Sequence, residues 1–247
     1  MNMVQIDAMT KQYKNGRGVF DISLSVKPGR VMGLLGPNGS GKTTIMKCMA
    51  GLIMPDRGSV CLSGCDPAKD PCRALDGAGF LIEHPGFYPY LSGRQNLELV
   101  SRLHGCSSAA AMEYTLEQVG LKSVMGEKVR NYSLGMKQRL GLAMAMAADP
   151  ALLVLDEPCN GLDIEGMTQI RGILRRLAAQ GKTIVLSSHL AGELEQVCTD
   201  VTIIRNGRIV SQARMPEVMA GFGSLEQYYL TVVRSAGLGG EEEAWIA

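Results

Sequence analysis

Residues 36–43 read Gly-Pro-Asn-Gly-Ser-Gly-Lys-Thr, and the fold follows from this stretch more than from any other. Its glycines, lysine and threonine fill the phosphate-binding pattern G-x-x-x-x-G-K-S/T. The five residues before it, Val-Met-Gly-Leu-Leu, predict a buried strand, and residues 44–50 predict a helix. A glycine-rich turn that carried Lys-Thr by chance would explain neither flanking element. The stretch therefore predicts a loop that joins a strand to a helix and binds phosphates.

Each part of this loop has its own role in binding a nucleotide. Glycines allow successive backbone N–H groups to face an anion, and the following helix directs its positive end to the same place. Lys42 is expected to reach the outer phosphates, and the Thr43 hydroxyl is expected to ligate Mg²⁺. The predicted ATP-binding residues of this segment are Gly36, Pro37, Asn38, Gly39, Ser40, Gly41, Lys42, Thr43 and Thr44.

A pair of acidic residues follows a second buried strand, much later in the chain. The apolar run 152–155 predicts a parallel strand covered on both faces, and Asp156 and Glu157 come directly after it. Ligands of open α/β sheets bind outside the carboxyl ends of the strands, so both acids are expected near the phosphates. Because successive residues of an extended backbone point to opposite sides, Asp156 is expected to face Mg²⁺ and Glu157 an attacking water. The alternative, a solvated acidic pair that ends a strand, is disfavoured by the phosphate loop.

Between these two motifs, residues 132–136 read Tyr-Ser-Leu-Gly-Met. This run resembles the L-S-G-G-Q signature of the ATP-binding cassette (ABC) transporter family, in which Ser133 and Gly135 match and the other three positions depart. Ser133 is expected to cap a helix that starts at Met136, which would direct free N–H groups and a helix dipole at an anion. Taken alone, a Ser and a Gly before a helix form an ordinary helix N-terminus. Their position before the acidic strand favours the functional interpretation.

The resemblance to the cassette family covers residues 4–212 and implies further nucleotide contacts. Tyr13 matches the aromatic residue that stacks on adenine, although a tyrosine that simply ends a strand explains it equally well. Asp163, in the run Asn-Gly-Leu-Asp, resembles the family's D-loop acid. His189 follows Leu-Ser-Ser and resembles the switch histidine that contacts the γ-phosphate. The resemblance implies that ATP hydrolysis is carried out by Lys42, Glu157 and His189.

One departure from the common family pattern marks a branch of the family. The strand before the helical subdomain is usually followed by Gln, whereas here Phe-Leu-Ile is followed by Glu83. Residues 81–97 resemble the bacitracin and lantibiotic self-protection branch, which carries Glu at this position. A carboxylate here implies an oxygen ligand near Mg²⁺ that attracts the metal more strongly than an amide does. A neutral exchange of Gln for Glu is the alternative.

The composition limits the other classes of function. The 247 residues are 46% hydrophobic and 20% charged, which suits one large α/β domain with a sizeable core. The net charge of +1 and the lack of a basic run with aromatics predict no nucleic-acid partner. Seven cysteines without a signal peptide predict reduced thiols in the cytosol. The most apolar stretch is interrupted at Asp149-Pro150, so a membrane role is expected to come from a partner chain.

The order of the predicted elements indicates the fold class. We predict an α/β fold with a P-loop NTPase core, a mixed and mainly parallel sheet, an N-terminal antiparallel β subdomain, and an inserted α-helical subdomain at about 84–146. The ATP-binding domain is expected to span residues 1–215. Residues 216–247 are expected to form short helices and a loosely ordered tail with an acidic end at 241–243.

The cassette resemblance implies a function and two kinds of protein partner. Two cassettes are expected to enclose two ATP molecules head to tail, each held by one chain's phosphate loop and the other chain's Ser133 and Gly135. ATP hydrolysis would drive transmembrane permease subunits, with the chain bound peripherally at the cytoplasmic face of the cell membrane. The aromatic run 87–91 is the expected docking site for a permease helix, with packing inside the helical subdomain as the alternative.

The branch resemblance predicts a class of cargo, since it implies export or clearance of an antimicrobial peptide or drug. The alternative function is a soluble ABC-type ATPase of a non-transport assembly, such as an iron–sulfur scaffold complex. A neighbouring gene that encodes a protein with about six membrane-spanning segments would favour transport. Co-purification with a soluble scaffold would favour the alternative.

Overall fold

The computed structural model describes residues 2–105 and 108–237, which form two sheets with helices packed around them. The strands in chain order are β1 Val4–Gln12, β2 Gly18–Val26, β3 Val31–Leu35, β4 Arg57–Leu62, β5 Ala78–Leu81, β6 Leu152–Leu155, β7 Thr183–Ser188, β8 Asp200–Arg205 and β9 Arg208–Arg214. The helices are α1 Lys42–Met49, α2 Pro71–Leu75, α3 Gly93–Leu103, α4 Ala109–Gln118, α5 Leu134–Ala145, α6 Ile164–Ala179, α7 Ala191–Glu195, α8 Met215–Phe222 and α9 Leu225–Ser235. Two short 3₁₀ helices, Lys122–Val124 and Val129–Asn131, join α4 to α5. The predicted fold class is confirmed.

The six-stranded sheet carries the phosphate loop near its centre. Its strand order is β5-β6-β7-β3-β8-β9, and all neighbours are parallel except the β8–β9 hairpin. Every residue of β3, β6 and β7 is buried, as expected for strands covered on both faces. Because parallel strands point the same way, the segments that follow these three strands emerge side by side at one edge. That edge therefore receives the phosphate loop, the acidic pair and His189.

A second, three-stranded antiparallel sheet has the order β2-β1-β4. Ile6 and Ile22 from this sheet are fully buried in a core that includes the apolar face of α1, while alternate residues face solvent. The backbone N–H of Phe20 donates to the carbonyl oxygen of Gly207 at 2.7 Å, which ties β2 to the turn between β8 and β9. These contacts anchor the β1–β2 hairpin beside the phosphate loop.

The segment between β5 and β6 is mainly helical, as the sequence predicted, with α3, α4 and α5 as its main helices. Ser92 caps α3 through a capping box, and Ser108 caps α4. α5 begins at Leu134, so the predicted start at Met136 was wrong by two residues. The Ser133 hydroxyl nevertheless accepts a hydrogen bond from the Met136 N–H, because that N–H lies in the first turn of the helix.

The sequence predicted short helices after residue 215, and the two C-terminal helices that the structure shows there also pack against the core. Val218, Leu225 and Tyr228 are buried in the main hydrophobic core. The N–H of Leu225 also donates to the carboxylate of Glu195 at 2.8 Å. The apolar faces of α8 and α9 explain this packing, since burying them stabilises both helices on the domain. The predicted acidic end, 241–243, lies outside the described residues.

None of the helices within residues 2–105 and 108–237 combines the length and the hydropathy needed to cross a membrane. The longest of them, α6, has 16 residues and is amphipathic. Its buried face packs on the central sheet through Ile170, Ile173, Leu174 and Leu177.

Candidate functional site

The loop that follows β3 is held by close backbone packing and by its own lysine. Nζ of Lys42 donates to the carbonyl oxygens of Gly36 and Pro37 at 2.7 and 3.1 Å, and the lysine side chain is only 5% exposed. Gly41, with a φ of 110°, turns the chain into α1. A Cβ atom at Gly36 would lie 2.1 Å from the backbone oxygen of Ile204, so a larger residue does not fit there. The loop geometry therefore depends on glycine at both positions.

Thr43 and Asp156 contact each other across the fold. The Thr43 hydroxyl donates to Oδ2 of Asp156 at 2.8 Å, and the Ser187 hydroxyl donates to Oδ1 at 2.6 Å. The structure thus brings together two of the residues that the sequence predicted as metal ligands. Ser187 was missed as a contact of the site, because one serine in a Leu-Ser-Ser-His run carries no pattern that distinguishes it.

Glu157 lies between Lys42 and His189. Its Oε1 is 3.3 Å from Nζ of Lys42, an ion-pair distance, and its Oε2 is 2.7 Å from Nδ1 of His189. Oε1 is buried and has no hydrogen-bond partner among the described residues. The backbone of Glu157 has a φ of 47°, in the left-handed region that non-glycine residues rarely adopt. All three side chains predicted to carry out ATP hydrolysis therefore meet at the loop.

A cleft of about 270 Å³ opens in front of the phosphate loop. Tyr13, directly after β1, lines it together with Lys42, Thr43 and Thr44. The Tyr13 hydroxyl lies 3.4 Å from Oγ1 of Thr44, and the ring is exposed enough to stack on a base. Arg17 lines the same cleft and adds a cation suited to phosphate oxygens. The sequence did not predict this arginine, because its position in the cleft depends on the β1–β2 hairpin that brings it to the loop.

Glu83 contacts a lysine and no other predicted metal ligand in the described contacts, so its role near Mg²⁺ stays a prediction. Its exposed carboxylate forms an ion pair with Nζ of Lys47, which lies one turn after Thr43 on α1. Among the described contacts of Glu83, none is with Thr43 or Asp156. The resemblance to the family implied an oxygen ligand near Mg²⁺ here, and the contact that the structure shows is with Lys47, one turn after Thr43.

Ser133, Gly135 and Asp163 line a second cleft, of about 390 Å³. Ser133 caps α5, and the Asp163 carboxylate caps α6 by accepting from the N–H of Gly166 at 2.8 Å. Because residues of two helix N-termini line this cleft, it is electrostatically favourable for an anion. No described residue lines both this cleft and the cleft at the phosphate loop. Within one chain, the predicted signature residues and the phosphate loop therefore form separate sites.

The aromatic run 87–91 forms a turn before α3. Phe87 packs against the main core, whereas Tyr88 and Tyr90 are 52% and 62% exposed, with ring centroids 5.8 Å apart. Asn96 holds the turn, because its Oδ1 accepts from the Tyr88 N–H and its amide donates to the Tyr88 carbonyl oxygen. Phe87 therefore packs against the core, as the alternative interpretation expected, whereas the two tyrosines are exposed at the surface.

The residues at the phosphate loop fit a bound Mg²⁺ ion. Thr43 and Asp156 supply hydroxyl and carboxylate oxygens, which are the ligands that Mg²⁺ prefers. Oγ of Ser40, in the loop, is buried without a hydrogen-bond partner, so its hydroxyl is available to bind a ligand at the loop. The part of the chain that the structure describes contains no group of three His, Cys, Asp or Glu side chains that could hold a metal. Such an ion would therefore take its remaining ligands from phosphates and water.

Comparisons with known proteins found a matching family model, relatives and solved structures. Residues 19–160 match the family model described as ABC transporter. The chain is 41% identical over 217 residues to the bacitracin transport ATP-binding protein BcrA of Enterococcus faecalis, covering 87% of this chain and 70% of that protein. It is 36% identical over 208 residues to the lantibiotic transport ATP-binding protein SrtF of Streptococcus pyogenes, covering 84% and 89%. A solved chain described as the ATP binding subunit of an ABC transporter superposes with a TM-score of 0.82 at 26% identity, over 94% of this chain and 99% of that chain.

Proposed function

Because this chain belongs to the ABC transporter family, we propose that it powers a separate membrane permease by hydrolysing ATP at the phosphate loop. The chain is an ATP-binding subunit and an ATPase, as the sequence predicted. Its relatives are transport ATP-binding proteins, which favours the transport function over a non-transport assembly.

The proposed mechanism is carried by one observation, the contact of Glu157 with both Lys42 and His189. Glu157 would accept a proton from the attacking water, while His189 holds the carboxylate in orientation. Lys42 would stabilise the negative charge on the transferring phosphoryl group, and the backbone N–H groups at the start of α1 would hold the outer phosphates. The contact of His189 with the γ-phosphate stays a prediction.

Mg²⁺ would be held by Thr43 and Asp156, and when bound it supplies neutralisation of charge on the phosphate oxygens. Oδ1 of Asp156 is already engaged by Ser187, so Oδ2 is the oxygen directed towards Thr43. Tyr13 would stack on adenine at the other end of the cleft.

A second copy of the chain is proposed to complete each ATP site. Ser133, Gly135 and Asp163 line a cleft of their own, which shares no residue with the cleft at the loop. Two copies arranged head to tail would place this cleft over the partner's phosphate loop, so that each ATP meets the helix N-termini of both copies. Leu134 and Ile164, which are exposed next to the two helix caps, would be covered in this dimer.

Mixing two inactive variants tests this arrangement. Lys42→Ala disables the loop, and Gly135→Glu places a negative charge in the second cleft, where a Cβ atom meets nothing closer than 3.8 Å. Neither variant should hydrolyse ATP alone, but their mixture contains dimers with one intact composite site, so activity should return. The control mixture of Lys42→Ala with Glu157→Gln contains no intact site and should stay inactive. If the mixture of Lys42→Ala with Gly135→Glu has no activity, the composite site is refuted.

The permease is proposed to dock on Tyr88 and Tyr90, with the chain lying peripherally at the cytoplasmic face of the membrane. An exposed aromatic pair beside a rigid turn suits the binding of a short helix from another chain. BcrA and SrtF are named for the transport of bacitracin and lantibiotics. We therefore propose that the permease exports or clears an antimicrobial peptide or drug.

Co-purification from membranes tests the partner and the cargo together. The double variant Tyr88→Ala with Tyr90→Ala should lose the permease and peptide resistance, while the isolated chain keeps its ATPase activity. Leu103→Ala, which removes an exposed apolar side chain at the C-terminal end of α3, should keep both the permease and peptide resistance. Unchanged assembly in the tyrosine variant would refute the docking site, and unchanged peptide sensitivity of a deletion strain would refute the cargo class. Recovery of a soluble scaffold instead of a permease would favour the non-transport alternative.

A further inference from the structure

Ser187 is a buried serine near the end of β7 that contacts both acidic residues of the ATP site. β6 pairs with β7 in parallel, with Leu155 opposite Leu186, so the next residues on the two strands, Asp156 and Ser187, lie side by side. Ser187 is 0% exposed. Because water cannot reach its hydroxyl, the hydroxyl must find its hydrogen-bond partners within the protein.

The hydroxyl of Ser187 uses its donor on one acid and an acceptor position on the other. Oγ donates to Oδ1 of Asp156 at 2.6 Å and accepts from the backbone N–H of Glu157 at 2.9 Å. The first hydrogen bond is charge-assisted, which makes it short and strong. The second holds the backbone of a residue whose φ is 47°, a conformation that non-glycine residues keep only where surrounding contacts impose it.

These two hydrogen bonds have separate consequences for the site. With Oδ1 of Asp156 bound to Ser187, Oδ2 is directed at the Thr43 hydroxyl, 2.8 Å away, and these are the oxygens that fit Mg²⁺. With its backbone held, Glu157 presents its carboxylate between Lys42 and His189. One hydroxyl therefore restrains the metal-side acid and the water-side acid at the same time.

We propose that Ser187 is a positioning residue for ATP hydrolysis, which acts through Asp156 and Glu157 and not by contact with the nucleotide. The inference rests on the roles proposed above for these two acids. The adjacent serine has a different partner, since the Ser188 hydroxyl donates to the carboxylate of Glu193 at 2.6 Å, beyond His189. Of the two consecutive serines, Ser187 alone joins the acids to β7.

Three variants separate this role from ordinary stabilisation. Ser187→Ala removes both hydrogen bonds, and Ser187→Thr keeps the hydroxyl. Thr183→Val is the matched control, because Thr183 is equally buried at the opposite end of β7, where its Oγ1 accepts from the N–H of Gly29. The free energy of a buried hydrogen bond to a charged group corresponds to a factor of about 10 to 100 in a rate or equilibrium constant. We therefore expect kcat of Ser187→Ala to fall by about this factor. Ser187→Thr should recover most of the rate, and Thr183→Val should keep the wild-type kcat.

Nucleotide binding provides a readout that is independent of turnover. Affinity for a fluorescent ATP analogue in EDTA depends on the loop and Lys42, so Ser187→Ala should bind as the wild type does. Adding Mg²⁺ should increase the affinity of Ser187→Ala less than that of the wild type, because Oδ2 of Asp156 is no longer held. An equal Mg²⁺-dependent gain with unchanged kcat would overturn the proposal. An equal loss of kcat in Thr183→Val would also overturn it.

Failure of this inference can be distinguished from failure of the proposed site. Asp156→Asn and Glu157→Gln are measured beside the serine variants, and full activity in both would remove the site assignments together with this inference. If both are inactive while Ser187→Ala turns over as the wild type does, the site stands and the role of Ser187 is refuted. If Ser187→Ala does not fold, Ser187→Thr decides. The proposal expects Ser187→Thr to fold and to hydrolyse ATP, and a folded but inactive Ser187→Thr would refute it.

Discussion

Replacing Glu157 by glutamine should stop ATP turnover without preventing ATP binding. The substitution keeps the length of the side chain and one carbonyl oxygen but removes the charged group that accepts a proton. An oxygen next to His189 can still take part in a hydrogen bond, so the local geometry should survive. The losses are the base itself and the attraction to Lys42, whose Nζ lies 3.3 Å from Oε1.

The expected size of the change can be given for both turnover and ATP affinity. A positioned general base contributes roughly 10²- to 10⁴-fold to a rate, and kcat should fall by this factor, or about 2.7–5.5 kcal/mol of activation free energy. Two unit charges 3.3 Å apart attract each other by about 5 kcal/mol at an effective dielectric constant of about 20. Desolvation of both groups offsets most of that attraction. Once released from Glu157, Lys42 should bind phosphates about three- to tenfold more tightly, or about 0.7–1.4 kcal/mol.

Three measurements on the isolated chain test this prediction. Phosphate release reports turnover, titration with a fluorescent ATP analogue reports affinity, and light scattering during size exclusion reports dimer formation. With ATP present, Glu157→Gln should accumulate as a dimer, whereas hydrolysis should keep the wild-type dimer transient. Glu98→Gln removes the same charge from a surface ion pair on α3 and should behave as the wild type does.

Two results would refute the reasoning about Glu157. Hydrolysis by Glu157→Gln at the wild-type rate would exclude this residue as the base. Loss of both ATP binding and turnover would contradict the idea that the Glu157 carboxylate competes with phosphate for Lys42, because removal of its negative charge should favour phosphate binding.

Gly36→Ala should destabilise the fold by about 1–3 kcal/mol, because the added Cβ would overlap a backbone oxygen of β8. Thermal unfolding compares this variant with Gly172→Ala, whose added Cβ would have no atom within 4 Å. Equal melting temperatures of the two variants would contradict the prediction. Glu83→Ala should lower ATPase activity by less than about threefold, because an exposed ion pair contributes little; complete loss of turnover would instead support metal ligation. Burial raises the pKa of the Cys159 thiol to about 12, so iodoacetamide should alkylate it far more slowly than the exposed Cys72. Mass spectrometry of the alkylated peptides measures both rates, and equal rates would exclude a protected thiol.

Local patterns were sufficient where the relevant chemistry lies in one segment of the chain. The loop 36–43 and the strand that leads to Asp156 were predicted in place, because loop spacing and continuous burial are properties of consecutive residues. The cap at Ser133 was predicted correctly, whereas the helix start was two residues too late. A cap residue and the first helical turn overlap in sequence, so helix boundaries are less determined than helix existence.

Contacts between distant segments were not predictable in the same way. The ion pair between Glu83 and Lys47 joins β5's end to α1, and the sequence did not predict it. Short helices were expected after residue 215 but their packing was not, and the structure buries Leu225 and Val218 in the main core. Each of these outcomes depends on which surfaces the rest of the fold presents, and the local pattern of charge and hydropathy does not contain that information.

By itself, the sequence determined the order of strands and helices and the residue types that arrive at the carboxyl edge of the central sheet. Tertiary structure alone decided which of those side chains touch. Hydrophobic periodicity, helix capping and the conformational freedom of glycine act over a few residues, so a sequence displays them directly. The 2.6 Å contact between Ser187 and Asp156 joins residues 31 positions apart, and it exists only because two parallel strands pair in one register.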